Sequence, residues 1–252
     1  MIIGKIHPGS GIGDQLFSYI TTRTIALDKG YEFGFVGTEF FKGKDFMNLD
    51  WGKEPNVAYT IEQPAGKLQI VNLIDVGTIS YNKLWEAPTY YDPNVNFIED
   101  GTIIDGCSAQ DEKYWGHRLN EIREWLKVEP LEVLDKTWIV NIRGGEYRSV
   151  PELILPKEYW QEATKGKFID VHTDDVEYAK ELLGQDISVL KDISLNWRAL
   201  RYAKNAVISN SAFAIIPRLL SEGETIAPRY WAGRNVGEWR RPQNYYSKFL
   251  YI

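Results

Sequence analysis

From Trp138 onward the apolar pattern alternates between short β-rich runs and segments of helical period, as expected for a parallel sheet with crossover helices. "WIVNI" reads as a strand, followed by a helix opening at Pro156, where the missing N–H does no harm. "FIDVH" precedes "TDDVEYAKELLG", in which Asp174 and Glu177 have capping-box spacing, Val176, Ala179 and Leu183 share a face, and Gly184 ends the helix. "ISVL" leads to a helix from about Asp192 with Ile193, Trp197 and Leu200 on one side. "AVIS" is followed by "NSAFAIIPRLLSEG", and "TIAP" reads as a last short strand. Five strands and four helices fit one Rossmann-like unit.

The first half is less regular. "IIGKI" reads as a strand, then comes a glycine-rich turn and a helix from about Asp14 to Asp28, closed near Gly30. From about Thr38 to Ala109 turn residues and aromatics dominate and few elements can be placed. "YWGHRLNEIREWLKV" carries a helical stripe of Trp115, Leu119, Ile122 and Leu126 and reads as the link between two lobes, with the boundary near Pro130. The expectation is therefore an α/β chain with an N-terminal lobe over 1–130 and a C-terminal lobe over 131–252.

Composition narrows the function classes. The 252 residues are 44% apolar, enough for a sizeable core, and the formal charge of −6 is spread without a basic block. Nucleic acid is not expected as a partner. The start of the chain lacks a secretory pattern, and no run of about 18 apolar residues is present to span a bilayer, so a soluble, cytoplasmic protein without a transmembrane segment is expected. Cys107 stands alone and His7, His117 and His172 are far apart, which leaves no metal site and no bound cofactor expected. Nine tryptophans and fifteen tyrosines suit sugar rings, or simply a core built from large rings.

Candidate chemistry sits at strand ends. Gly9, Gly11 and Gly13 lie between a strand and a helix, but Asp14 occupies the place of the last glycine of a dinucleotide fingerprint. "GTEFFKGKD" fails as a P-loop, with one residue too many between Gly37 and Gly43 and Asp45 in place of the hydroxyl. The glycines either make a tight turn or allow close approach to a ligand. Arg143 stands just past a central strand, on the edge where open α/β sheets bind ligands. Its guanidinium is a planar fork matched to phosphate, and Gly144 and Gly145 permit a sharp turn beside it. The alternative is an arginine paired with Glu146 or Asp170. Ser209, Asn210 and Ser211 precede a helix start near Ala212, where free N–H groups would suit an anion, or where these residues merely cap.

Taken in order, these segments resemble the α-1,2-fucosyltransferase family. "SGIGDQLFSY" is similar to its G-G-L-G-N-Q-M-F-Q-Y, "DGCSAQDEKYWGHRLNEIREWL" to G-Y-F-Q-S-x-K-Y-F and the following helix, and "VNIRGGEY" to V-H-x-R-R-G-D-Y. "LPKEYWQEA" resembles L-P-x-x-Y-Y, "HTDDVEYAKELL" F-S-D-D-x-x-W, "ISNSAFAIIPRLL" A-N-S-S-F-S-W-W-G-A-W-L, and "TIAPRYW" I-A-P-x-x-W. The resemblance implies a GT-B-like arrangement of two facing Rossmann-like lobes. It also implies a GDP-sugar donor such as GDP-fucose, and inverting transfer to a glycan or lipid-linked oligosaccharide without an obligatory metal. By position Arg143 would grip the donor phosphates, with Ser211, Ala212 and Phe213 at the helix start, Asn210 beside them, and Asp174 and Asp175 near ribose or base. Gly11, Gly13, Asp14 and Gln15 would face the donor from the N-terminal loop. Asp14 and Glu146 are the candidate carboxylates for deprotonating the acceptor hydroxyl. Asn141 stands where the family has histidine, Gly144 replaces its second arginine, Glu146 its aspartate, and Ile215 with Ile216 its tryptophan pair. Those departures fit an altered donor, weakened turnover, or a non-catalytic relative that binds a nucleotide or glycan.

Overall fold

The apolar run after Leu134 does become a central strand, buried along most of its length, which is the mark of a parallel strand covered on both faces. The computed structural model describes residues 1–56, 70–71, 91, 93–104, 109–184, 189–232, 241–242 and 246–252. Most of the stretch from 57 to 90, and Cys107, lie outside the described residues. The chain divides into two compact units, Met1–Lys127 and Val128–Ile252.

In the first unit, β1 (Ile2–Lys5) is followed by α1 (Ile12–Asp28) and β2 (Phe33–Val36), then β3 (Ile70–Val71), β4 (Ile103–Ile104) and α2 (Leu119–Trp125). The sheet order is β2-β1-β4-β3 and every pairing is parallel. α1 begins at Ile12 rather than Asp14, so Gly13 is already helical and buried, and Gly11 is the N-cap. The helix predicted from Tyr114 is broken into two 3₁₀ turns before α2, leaving Trp115 outside the helix although buried with Ile122 and Leu126. Several aromatics build this core. Trp51 meets Tyr19, Phe35 and Phe41 edge-on at 5.4–5.6 Å between ring centres.

The second unit runs β5 (Thr137–Ile142), α3 (Lys157–Thr164), β6 (Phe168–Thr173), α4 (Val176–Leu183), β7 (Val189–Leu190), α5 (Ile193–Tyr202), β8 (Asn205–Ile208), α6 (Ala212–Leu220) and β9 (Glu224–Ala227). An antiparallel pair, β10 (Tyr230–Ala232) with β11 (Arg241–Pro242), precedes β12 (Leu250–Tyr251). The parallel sheet has the order β12-β9-β8-β5-β6-β7. Numbered by appearance within the unit and leaving aside the β10–β11 pair, that is 6-5-4-1-2-3, the Rossmann order, with its reversal between β5 and β8. The α/β class with parallel sheets is borne out, and the sheet gains a sixth strand, β12, that the pattern of apolar residues did not reveal.

Helices cover both faces of this sheet. Tyr159, Trp160, Ala163, Tyr178, Ala179 and Leu182 of α3 and α4 pack on Val140, Ile142, Val171, Val207 and Ile226. α5 and α6 pack on each other, with Trp197 and Leu200 fully buried. Ile193, expected on their face, is 44% exposed, because it is the first residue of α5 and stands at the sheet edge where the candidate site lies. The N-cap of α4 is Asp175, whose carboxylate accepts from Tyr178 N at 3.0 Å, and not Asp174 as the capping-box spacing predicted.

Candidate functional site

The strand order places one crevice at the carboxyl ends of β5 and β8, where the crossovers leave the sheet in opposite directions. A cavity of about 150 Å³ opens there, lined by Asn141, Ile142, Arg143, Thr173, Asp174, Lys191, Ile193, Asn196, Ser211 and Phe213.

Arg143 follows β5 directly and its side chain is 30% exposed. Nη1 donates to Asp174 Oδ2, and Nη2 donates to Glu146 Oε1 at 2.6 Å. The Tyr147 ring lies 5.3 Å from the guanidinium carbon. Of the two pairings considered from sequence, Glu146 is realised and Asp170 is not, since Asp170 turns to His172. Asp174 also accepts from Gly144 N at 2.9 Å, so one carboxylate holds both the arginine and the turn after it.

The two glycines are required by this packing. Gly145 has φ +37°, in the region that favours glycine, and a Cβ there would sit 2.5 Å from Asp174 Oδ2. A Cβ on Gly144 would sit 2.5 Å from the Cβ of Asp175 and 2.9 Å from Tyr178. The backbone here approaches α4, not open space, and an arginine side chain has no room at this position.

On the other side of the crevice, Ser209 Oγ donates to Asn141 Oδ1 at 3.0 Å. Ser211 is the N-cap of α6 by backbone geometry, but its side chain makes no capping hydrogen bond. The first N–H groups of α6, at Ala212 and Phe213, therefore have no side-chain cap to satisfy them. Phe213 meets Trp197 edge-on at 5.8 Å and forms part of the cavity wall.

Several expected ligand groups are committed elsewhere. Asn210 Nδ2 donates to the carbonyls of Leu153, at 2.9 Å, and Trp231, so this buried amide ties the turn before α6 to neighbouring backbone. Asp175 is spent as the α4 cap, with Arg148 Nη1 3.6 Å away. In the first unit, Gln15 is buried and donates to His7 O at 3.1 Å and Phe40 O at 3.0 Å while accepting from Lys42 N at 3.0 Å. Its amide is saturated by backbone. Asp14 is half-buried in the first turn of α1, where a carboxylate is favoured by the helix dipole, and Gly11 is exposed.

The crevice thus brings together Asn141, Arg143, Asp174, Ser211 and Phe213 from the residues singled out in sequence, with Glu146 attached through Arg143. Lys191, Ile193, Thr173 and Asn196 were missed. Asn196 carried a signal: an amide next to Trp197 in the buried part of a helix needs a partner, and it has one in His172. Among the described residues no group of three His, Cys, Asp or Glu side chains is placed to hold a metal ion. Nor is any helix among them long and apolar enough to cross a membrane.

No family model and no curated protein matches the chain. Among solved structures it is similar to NodZ α-1,6-fucosyltransferase soaked with GDP-fucose, at 14% identity and a TM-score of 0.45 over 87% of this chain and 92% of that one. The same enzyme co-crystallised with GDP gives 15% identity, a TM-score of 0.46 and the same coverage. Fucosyltransferase NodZ from Bradyrhizobium also gives 15% identity, a TM-score of 0.46 and the same coverage. At these values the likeness carries no argument about chemistry, and the functional reading rests on the crevice.

Proposed function

We propose that the chain is a fucosyltransferase-like glycosyltransferase that binds a GDP-sugar, with fucose as the sugar, and transfers it with inversion to a hydroxyl of a glycan or lipid-linked oligosaccharide. The observation that carries this reading is the convergence of Arg143 and the start of α6, uncapped by Ser211, on one cavity at the β5/β8 reversal. Breaking a sugar–phosphate bond leaves negative charge on the departing diphosphate. Donors already aimed at its oxygens stabilise the transition state more than the ground state. Arg143 and the amides of Ala212 and Phe213 have that role, and Asp174 holds the guanidinium in place. The acceptor hydroxyl needs a base, for which Glu146 and Asp14 are the carboxylates to test.

The test is calorimetric titration with GDP and GDP-fucose. Binding is expected, weakened at least about tenfold in Arg143→Ala, as loss of a charge-assisted hydrogen bond predicts. No binding of either nucleotide at millimolar concentration sinks the reading.

One observation favours a second reading, a non-catalytic nucleotide- or glycan-binding relative. Arg143 already has two carboxylate partners, and Gly144 leaves no second guanidinium to neutralise a diphosphate. Transfer of fucose to any member of a sugar array, abolished by Arg143→Ala, would eliminate it.

A further inference from the structure

Two buried amides face the same cavity, and each has its oxygen fixed from behind. Asn141 is 5% exposed and its Oδ1 accepts from Ser209 Oγ at 3.0 Å. Asn196 is 6% exposed and its Oδ1 meets Nδ1 of His172 at 2.8 Å. His172 is itself 2% exposed, on β6, with Nε2 3.4 Å from Asp170 Oδ2. An imidazole N–H at Nδ1 facing an amide oxygen donates to it, so this contact holds the amide of Asn196 in one orientation. Both oxygens accept from neighbours, and both residues line the cavity, which leaves the NH₂ groups as the donors they can offer it. Neither nitrogen has another hydrogen-bond partner among the described residues. Donors that no protein group accepts from are available to a ligand or to water in the cavity.

The rest of the lining is mixed, with Ile142, Ile193 and Phe213 beside Arg143, Thr173, Asp174, Lys191 and Ser211. Ile193 and Phe213 flank the cavity, and Ile193 is the exposed residue at the start of α5. At about 150 Å³ the space is about half the lower end of the usual ligand-pocket range, sufficient for one flat ring system. Two NH₂ donors beside an apolar flank complement a planar ring whose edge carries hydrogen-bond acceptors.

We propose that Asn196, oriented by His172, is a specificity residue that reads a carbonyl-bearing nucleobase, with Asn141 as the second donor. The proposal rests on reading the crevice as a nucleotide site. An oxo-base offers carbonyl oxygen to these donors. Adenine carries an exocyclic NH₂ in place of that carbonyl, which would set donor against donor at that atom.

The experiment is titration of the full chain with GDP, UDP and ADP, for the wild type, Asn196→Asp, His172→Phe and Arg143→Ala. The wild type is expected to bind GDP or UDP at least about tenfold more tightly than ADP, the difference that one mispaired buried donor makes. Asn196→Asp should collapse that ratio by turning the donor into an acceptor. His172→Phe keeps the buried ring but frees Asn196 to rotate, and should lower the ratio while leaving ADP affinity within about twofold, since the polyphosphate contacts are untouched. Arg143→Ala should weaken all three nucleotides together and preserve the ratio. If Asn196→Asp does not fold by circular dichroism, Asn196→Ser serves in its place, with the same loss of discrimination expected. Equal affinity of the wild type for GDP, UDP and ADP, or a ratio unchanged in both variants, overturns the specificity role while the nucleotide site stands. Absence of binding by any of the three overturns both.

Discussion

Replacing Arg218 with methionine tests how the second unit is held together away from the crevice. The side chain is fully buried on α6. Its Nη1 donates to the carbonyls of Leu200 at 2.7 Å and Ala203 at 2.8 Å, Nη2 to Glu224 O at 2.7 Å, and Nε to Thr225 Oγ1 at 2.9 Å. Leu200 and Ala203 stand at the end of α5, so one guanidinium caps a neighbouring helix and fastens it to β9. Methionine fills much of the space but donates to none of the four acceptors. A hydrogen bond from a charged donor is worth about 1.5–3 kcal/mol, so four come to roughly 8 kcal/mol. Against that stands the several kcal/mol, taken as about 4, recovered by no longer burying the ion. The net loss is about 4 kcal/mol, and with a slope of about 2 kcal/mol per molar urea the midpoint of this unit should fall by about 2 M. Unfolding followed by circular dichroism and by the fluorescence of Trp197, fully buried on α5, measures it. Arg218→Lys, which keeps the charge but not the fork, should fall between. Burial, and then the charge of Arg201, lower the guanidinium pKa to about 9. For a base, a lowered folded value means a penalty that is complete below that pH and is relieved as pH rises towards the higher unfolded value. Both states are protonated between about pH 6 and pH 7.5, so the difference between variants should be flat there. A methionine variant as stable as the wild type would refute the reasoning, because it would put the cost of burying the ion above the worth of its hydrogen bonds.

Glu146→Gln should cost less than about 1 kcal/mol of stability, since the side chain is 75% exposed, and should raise GDP affinity by up to about fivefold in calorimetry by releasing Nη2 of Arg143. Asp175→Ala removes the α4 cap and should cost about 1 kcal/mol, seen as a melting point lower by about 4 °C. Gln15→Leu removes three buried hydrogen bonds and should cost about 3 kcal/mol, with hydrogen exchange accelerating around Phe40 and Lys42. Gly144→Arg should destabilise by about 1–3 kcal/mol in urea unfolding, because its Cβ meets Asp175 and Tyr178, and should not improve nucleotide binding.

The second unit was legible because its code is local. Short β-rich runs alternate with helices that carry their own caps and stops, and "WIVNI" to "TIAP" gave five of its strands in order. β12 escaped because two residues, Leu250 and Tyr251, form a strand only through pairing with Ile226 and Ala227, a contact the local pattern cannot carry. Of the residues that sequence singled out, Asn141, Arg143, Asp174, Ser211 and Phe213 line one cavity, and their duties depend on partners far along the chain. Asn210 reads like a ligand group until Leu153 and Trp231 are found to occupy its donors. Asp174 reads like a cap until it is found 31 residues from Arg143 in sequence and in contact with it in space. Asn196 needed His172, 24 residues earlier, to become anything more than a helix amide.

The charge balance around Arg143 limits how an anion could enter the proposed site. Two unit charges about 4 Å apart near a protein surface interact by roughly 4 kcal/mol, so a phosphate placed against both Asp174 and Glu146 would lose more than one hydrogen bond from Arg143 returns. The two carboxylates are not equivalent, however. Asp174 is 31% exposed and also bound to Gly144 N, so its displacement would undo the turn, whereas Glu146 is 75% exposed and, among the described residues, its carboxylate pairs with Arg143 alone. The guanidinium has two edges and can keep one partner while exchanging the other. On the proposed reading Nη1 would stay with Asp174, which would serve as a buttress, and Nη2 would pass from Glu146 to the ligand. The oxygen of a bound diphosphate would then occupy the place now taken by Glu146 Oε1, 2.6 Å from Nη2, with the departing carboxylate returning to water at little cost because it is already mostly solvated.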